Sequence, residues 1–335
     1  MKKSKISLFF INLPLFLAVV LYLLIYWVRY QQGGWEIEID LFGDQRQALD
    51  QKISQHLPSP QAQLLSGIIL GEKKDLPYDF RLALRDTSTL HIVVVSGQNL
   101  TLLAGFILSL SGLIKRRLAI SMSFIAIILY TLLTGAQVPV LRAAIMVSFT
   151  FLAQITGRQK DSLYILILTA SLMLLVNPLW LTDLSFQLSF MATLGVVSVS
   201  PILLYYFKNL PLIGQDLATT IGAQLMVMPI IAQNFHQLSL VGVITNLLVL
   251  WTIPLIMILG AVFLLVSLVS NFLAQGLAII LEILLTYFVY IVEFFASAPF
   301  AWEYVGEQPW IFWVGYYMLL LSVMLSLSYG QKENS

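Results

Sequence analysis

The chain of 335 residues is 59% hydrophobic, contains 10% charged residues and has a formal net charge of +1. Soluble domains contain about 25% charged residues, so this composition excludes a soluble protein and predicts a polytopic integral membrane protein. The lack of cysteine excludes disulfides, thiolate metal sites and cysteine nucleophiles. His56, His91 and His236 lie too far apart in sequence for a local metal motif, so we predict no metal and no cofactor.

The N-terminal region, residues 1–30, combines a basic start with a long apolar run. "MKKSK" precedes an apolar run from 7 to 28, which ends in the aromatic and basic sequence "LIYWVRY". A cleaved signal peptide has a shorter apolar run and a small-residue cleavage site. The pattern therefore predicts a retained transmembrane anchor.

Residues 31–89 form the substantial polar region of the sequence. Leu49, Ile53 and Leu57 recur at spacings of four, which places them on one face of a helix that "PSP" (58–60) ends. Two further amphipathic pieces follow, and neither has the roughly 20 apolar residues that a membrane crossing needs. We predict an extracytoplasmic segment whose helices lie in the interface plane or cap the bundle.

Residues 90–330 contain the remaining apolar spans, and residues 331–335 form a cytoplasmic tail. The longest span carries Pro254 and Gly260 and exceeds one straight crossing, which predicts a kinked helix or two half-helices. The predicted fold class is an all-α polytopic membrane bundle of about ten transmembrane helices, with broken or re-entrant helices and outward amphipathic helices. After the anchor, the predicted spans cover residues 90–112, 117–134, 137–156, 162–180, 184–206, 216–235, 239–268, 276–297 and 309–328.

Basic residues beside the spans predict the orientation, because cytoplasmic loops of membrane proteins are enriched in lysine and arginine. About ten crossings of the cytoplasmic (inner) membrane place every basic cluster inside the cell, together with both termini. These clusters are the N-terminal "KKSK", "KRR" (115–117), "GRQK" (157–160), Lys208 and Lys332.

The stretch "LHIVVVSGQNLTLLAGF" (90–106) is an apolar span interrupted by polar residues. Four β-branched residues (92–95) are followed directly by Ser96, Gly97, Gln98 and Asn99. Non-helical backbone at membrane depth persists only where it is packed in protein or lines water. One interpretation is a discontinuous element that faces a polar cavity, and the other is a packing glycine in a kinked helix.

Further polar side chains lie within predicted spans. Arg142, in "GAQVPVLRAAIM", costs about 3 kcal/mol at mid-span on insertion scales. Arg142 either forms a structural ion pair, for instance with Asp183, or provides a fixed positive charge beside a path for an anion. Asp183 begins a periodic run and is a candidate helix N-cap. Gln187 is expected to form a hydrogen bond to another helix or to face a cavity. Asn246 either forms a hydrogen bond between helices or lines that cavity.

Catalytic motifs are absent from the sequence. It contains no H-E-x-x-H, P-loop or G-x-G-x-x-G, and "VSGQN" lacks the G-x-S-x-G frame. An intramembrane hydrolase built on Ser96 and His91 is a minor alternative. We predict that the chain is not an enzyme.

Four stretches, in this order, resemble the membrane domain of the ComEC-type competence proteins. The resemblance covers about residues 62–270 and implies a channel that passes single-stranded DNA across the cytoplasmic membrane during natural transformation. The stretches are "LLSGIILGEKKDLPYDFRLALRDTSTLHIVVVSGQNLTLLAGF" (64–106), "GAQVPVLRAAIM" (135–146), "LTDLSFQLSFMATLG" (181–195) and "FHQLSLVGVITNLLVLWTIP" (235–254). The family's motif residues fall on His91, Ser96, Gly97, Arg142, Gln187 and Asn246, which would line the DNA path.

This chain departs from the family pattern at the interrupted span. The family commonly continues as Ser-Gly-Leu-His, whereas Gln98 and Asn99 stand here, so the role of a second histidine is open or falls to Asn99. The basic residues at the outer mouth would gather DNA in a salt-dependent way. These are Lys73, Lys74, Arg81 and Arg85.

The resemblance also implies partners. They are single-stranded DNA, the lipid bilayer, a cytoplasmic helicase and DNA-receptor proteins, with the oligomeric state open. We expect no oligonucleotide-binding-like domain and no metallo-β-lactamase-like domain in this chain, so a nuclease would be a separate protein. Two alternatives stay open: a secondary transporter whose half-helices are the break at 96–99 and the kink near Pro254, and a non-catalytic scaffold that depends on other subunits.

Overall fold

The computed structural model describes residues 18–33, 40–72, 76–93, 97–109, 112, 115–157, 161–210 and 213–333. Side chains are described within these ranges except at 98, 116, 117, 155 and 331–333. Of the predicted site residues, Lys73, Lys74 and Ser96 lie outside the described residues, as does the side chain of Gln98.

The described chain is helical almost throughout, so the all-α prediction is confirmed. The first helices are α1 (Ala18–Gln31), α2 (Gly43–His56), α3 (Gln61–Leu70), α4 (Tyr78–Asp86), α5 (Leu90–Val93), α6 (Gly97–Ser109), α7 (Arg116–Leu133) and α8 (Val138–Ile155). They are followed by α9 (Ser162–Val176), a 3₁₀ helix (Pro178–Thr182), α10 (Leu184–Ser198), α11 (Ser200–Tyr206), α12 (Gly214–Phe235), α13 (Gly242–Val249), α14 (Thr252–Ser267), α15 (Asn271–Ala296) and α16 (Trp310–Glu333).

Two short strands interrupt this pattern and were not predicted. β1 (Gln237–Ser239) follows α12 and pairs antiparallel with β2 (Trp302–Tyr304), which precedes α16. The predicted span 239–268 therefore starts too early, because α13 begins at Gly242. Strands of three residues leave too little alternation for a sequence pattern to reveal.

The predicted number of membrane-spanning helices is confirmed only in part. Among the described residues, two helices are long and apolar enough to cross a membrane, namely α15 and residues 310–330 of α16. The bent pairs α10–α11 (41°) and α13–α14 (44°) raise this to four if each pair is one span. The total of about ten remains a prediction, since the apolar segments of the other helices that could be assessed among the described residues have only 10–17 residues.

The predicted break in the span 239–268 is confirmed. The chain bends between α13 and α14 around Leu250 and Trp251, just before Pro254. Pro254 is the third residue of α14, and its missing N–H belongs to a turn whose N–H groups have no intrahelical partner in any case. The proline therefore starts a half-helix instead of kinking a continuous one.

The predicted amphipathic segment contains one helix that is not amphipathic. In α2, Ile53 is buried and Leu49 packs on the core, as their spacing predicts. In α3, by contrast, every residue from Leu64 to Leu70 is buried. Since α3 is apolar from Leu64 to Leu70 apart from Ser66, it packs inside the main core, where a Cβ on Gly260 of α14 would overlap with Ile69 and Leu65.

α2 connects two distant parts of the chain. Arg46 donates to the carbonyl oxygen of Leu133 at the end of α7 (3.1 Å), and Lys52 donates to Asn271 Oδ1 at the start of α15 (3.4 Å). Six residues of helix span about 9 Å. The predicted ten crossings would put those two ends on opposite sides of a hydrocarbon core about 30 Å thick. These contacts of α2 therefore bring the end of α7 and the start of α15 closer together than the predicted ten crossings would place them.

The last helix, α16, is fixed to α12 around Pro229. A proline leaves the carbonyl four residues before it without a helical donor, which here is the carbonyl of Leu225. The Tyr316 hydroxyl donates to that oxygen (2.9 Å), and the neighbouring Tyr317 hydroxyl donates to Met226 O (2.9 Å). The tyrosines supply hydrogen bonds in the part of α12 that the proline interrupts.

Replacing Tyr316 with phenylalanine is expected to lower the free energy of unfolding by about 1 kcal/mol, because the Leu225 carbonyl loses its donor. The measurement is SDS- or heat-induced unfolding of the purified protein. Tyr329→Phe is the matched control, since Tyr329 lies on the same helix, is 70% exposed and makes no side-chain hydrogen bond with any described residue. Equal destabilisation by both variants would contradict the assignment.

Candidate functional site

The predicted interruption lies where α5 and α6 meet. α5 ends at Val93 and α6 begins at Gly97; the residues between them, including Ser96, lie outside the described residues. Gly97, Asn99 and Leu100 are all buried, so the start of α6 lies in the protein interior. α3 packs beside it, because a Cβ on Gly67 would overlap sterically with Val93.

Arg142 lies directly against this helix start. A Cβ on Gly97 would overlap with Arg142 Nη2 and would lie 3.0 Å from the Cβ of Ala143. The guanidinium carbon is also 6.0 Å from the ring centroid of Phe190 on α10. Arg142 is only 9% exposed. The absence of a side chain at Gly97 is therefore what admits the guanidinium between α6 and α10.

The predicted ion pair of Arg142 with Asp183 does not occur. Asp183 is instead the N-cap of α10, as the alternative prediction had it, and its carboxylate accepts from the Phe186 backbone N–H (2.8 Å). The three ion pairs of the described residues do not include Arg142, and its Nε has no hydrogen-bond partner. A buried guanidinium thus stands without a carboxylate among the described residues.

The backbone around Arg142 adds positive potential. Gly97 is the first residue of α6, and Arg142 itself is the fifth residue of α8. Helix N-termini carry a partial positive charge of roughly half an elementary charge and unpaired N–H groups. The site therefore combines one full positive charge with two helix ends of the same sign.

Asn99 has a different role from the predicted one. Its Nδ2 donates to the carbonyl oxygen of Ile68 (2.9 Å), in the last turn of α3, and the Tyr130 hydroxyl donates to the same oxygen (3.4 Å). Gln137 Nε2 donates to Gly71 O (3.1 Å), just past that helix. These amides satisfy the carbonyls that a helix C-terminus leaves free. Asn99 thus fixes α3 to α6 and uses its amide on protein backbone.

Tyr130 and Gln137 are the residues of this arrangement that the sequence prediction missed. Gly71 is left-handed (φ 79°) and ends α3, which is the sequence signal for a helix end that needs donors. Nothing in the sequence says which donors arrive, since Tyr130 lies 62 positions from Ile68.

The other predicted path residues have separate surroundings. His91 is exposed, and its Nδ1 lies 2.9 Å from Ser88 O. Gln187 Nε2 donates to Leu181 O (2.9 Å) in the preceding 3₁₀ helix, a local contact and not the predicted bond across helices. Asn246 is 3% exposed, and its Oδ1 has no partner. Among the described residues, no hydrogen bond or ion pair joins these three side chains to Arg142.

Two of the predicted basic residues at the outer mouth are described. Arg85 pairs with Asp86 (3.1 Å), which also accepts from Gln237, and Arg81 donates to Leu76 O (3.2 Å). An exposed pair of this kind partly cancels the charge of Arg85. In the described ranges, no group of three or more histidine and acidic side chains lies close enough to hold a metal ion.

Comparison with known proteins decides the family. The profile of the Competence protein family matches residues 68–329, which include every predicted site residue. The chain belongs to this family. The predicted resemblance to ComEC-type competence proteins is thereby confirmed.

Individual competence-type relatives match with low identity. ComE operon protein 3 of Bacillus subtilis (strain 168) is 27% identical over 221 residues, which cover 64% of this chain and 28% of the relative. The uncharacterized protein YcaI of Escherichia coli (strain K12) is 26% identical over 284 residues, which cover 76% of this chain and 36% of the relative. The chain thus spans about a third of the length of these relatives. No solved structure matches it significantly.

Proposed function

We propose that this competence protein forms a non-enzymatic channel that carries single-stranded DNA across the cytoplasmic membrane. The observation that carries the proposal is the buried Arg142 against Gly97 at the start of α6, which forms no ion pair with any described residue. A polyanion needs interior positive potential to leave water, and Arg142 supplies it within the described part of the bundle. Family membership supports DNA as the substrate.

Weak binding is as important for conduction as attraction. Each nucleotide carries a negative charge, so a strongly basic pore would hold DNA too tightly to release it, and conduction needs weak or multi-site binding. One arginine and two helix N-termini provide modest attraction. Arg81 and Arg85, with Lys73 and Lys74, would concentrate DNA at the outer mouth.

We propose an orientation with both termini in the cytoplasm. α1 and α9 end side by side, since Arg29 donates to Leu175 O (3.2 Å) and Val176 O (3.0 Å), and the proposed orientation puts both of these ends outside. A re-entrant α14–α15 hairpin would remove two crossings together. The number of crossings would then stay even, so both termini would remain on the cytoplasmic side. A helicase, a DNA receptor and a nuclease would be supplied by other proteins.

Loss of DNA entry is the expected result of deleting the gene. Cells are given labelled double-stranded DNA under conditions that induce uptake, and label protected from external nuclease within the cytoplasm is measured. We expect deletion to abolish this internal label while leaving DNA bound at the surface, because binding and crossing are separate steps. Restoring the wild-type gene is the control. Undiminished internal label in the deletion strain would remove the proposal.

A further inference from the structure

The charge balance around Arg142 is incomplete. The side chain is more than nine-tenths buried, its Nε has no partner, and the ion pairs of the described residues leave it out. The face of Phe190, 6.0 Å away, is a weak partner for a cation. Asp183, the acid that the sequence suggested, is used as the N-cap of α10. A buried charge without a counter-charge is strongly unfavourable.

The direction of the guanidinium shows where a counter-charge fits. A Cβ added to Gly97 would overlap with Arg142 Nη2, so the guanidinium packs against the first turn of α6. Gly97 presents bare backbone there. An anion at this point would meet the guanidinium fork and the positive end of α6 together. Two cationic features that face each other without an anion repel each other.

We propose that Arg142 and the N-terminal turn of α6 form a binding site for one phosphate-group oxyanion. The planar guanidinium donates two parallel N–H groups, which match the paired oxygens of a phosphate, and a helix N-terminus adds backbone donors. Resting on the proposed function, the site would hold one backbone phosphodiester of the DNA. A lipid headgroup or free phosphate presents the same chemistry.

The test uses the full chain, purified in detergent and reconstituted in phosphatidylcholine nanodiscs, with inorganic phosphate as the probe. We expect phosphate to raise the midpoint of thermal unfolding in a saturable manner, because a ligand that binds only the folded state stabilises it. Arg142→Met should abolish this shift. Without phosphate, Arg142→Met should unfold at the same or a higher temperature than the wild type, because an apolar side chain of similar length replaces an unpaired buried charge.

Arg142→Lys and Lys208→Met complete the design. Arg142→Lys keeps the charge but lacks the fork, and we expect its phosphate affinity to fall at least tenfold; it also serves if Arg142→Met does not fold. Lys208→Met removes an equal charge at an exposed position and should keep the full shift. No shift in the wild type, or the same shift in the wild type and both Arg142 variants, would overturn the site.

Two further arms identify the source of the phosphate. If DNA is the ligand, a thymidine oligonucleotide should compete with phosphate, and its uncharged methylphosphonate analogue should not. If lipid is the ligand, phosphatidylglycerol nanodiscs should remove the phosphate shift. If the wild-type protein does not bind phosphate, but deleting the gene still abolishes DNA uptake, this site alone would be refuted. Binding as expected, with uptake unaffected by deletion, would refute the channel alone.

Discussion

Replacing Gly195 with alanine is expected to lower the free energy of unfolding by about 2 kcal/mol, more than any other single methyl group added to the described helices. At this crossing α10 and α12 touch backbone to backbone: a Cβ on Gly195 would overlap with the carbonyl oxygen of Gly222 and lie 3.0 Å from the Cα of Ala223. Overpacking a tight contact costs about 1–3 kcal/mol, and a backbone atom cannot rotate away. The helix preference for alanine, about 1 kcal/mol, opposes this only in part.

The measurement for Gly195→Ala is SDS or thermal unfolding of the purified protein. Gly276→Ala is the matched control, because Gly276 lies in α15 with nothing within 4 Å of an added Cβ. We expect that control to keep or slightly raise stability through its better helix preference. A Gly195→Ala protein as stable as the control would mean that α10 and α12 do not cross in this close manner.

Replacing Gly97 with alanine is expected to lower internalised DNA about tenfold or more while leaving surface-bound DNA unchanged. The added methyl group overlaps with Arg142 Nη2 and approaches Ala143, so the guanidinium has to move. A displacement that costs about 1.4 kcal/mol at the transported anion reduces its occupancy tenfold. Because the guanidinium can move away from the methyl group, the fold should tolerate this change better than Gly195→Ala.

Gly105→Ala provides the control for this second variant. Gly105 lies on the same helix, is exposed, and has nothing within 4 Å of an added Cβ. Expression and membrane insertion of both proteins should match the wild type, measured by immunoblotting of membranes. Normal DNA uptake with Gly97→Ala, at normal expression, would show that the contact between Gly97 and Arg142 has no part in transport.

The sequence predicted those features that depend on local chemistry. The half-helix start at Pro254 follows from the missing N–H of proline, and the N-cap at Asp183 follows from a carboxylate at the start of an apolar run. The buried face of α2 follows from the spacing of Leu49 and Ile53. In each case the determining interaction lies within a few residues along the chain.

Partners at long range were not predictable in this way. The sequence suggested that Arg142 pairs with Asp183 and that Asn99 faces a cavity. In the folded chain Asn99 donates to the carbonyl oxygen of Ile68, and Arg142 lies beside Gly97. The choice depends on α3 entering the core, which its mainly apolar run from Leu64 to Leu70 allowed but its short length concealed. The chemistry of an amide or a guanidinium predicts which kinds of group it can bind, but it does not predict which helix end will lie beside it.

The amino-acid sequence by itself determined that this is an all-helical membrane protein of the competence family, because composition and ordered motifs are properties of the chain alone. The tertiary structure decided which polar groups were satisfied. Asn99 is satisfied on the backbone of α3, and Gln187 on the neighbouring 3₁₀ helix. Among the described residues Arg142 has no counter-charge, because hydrogen bonds and ion pairs form only between groups that packing brings within about 3 Å.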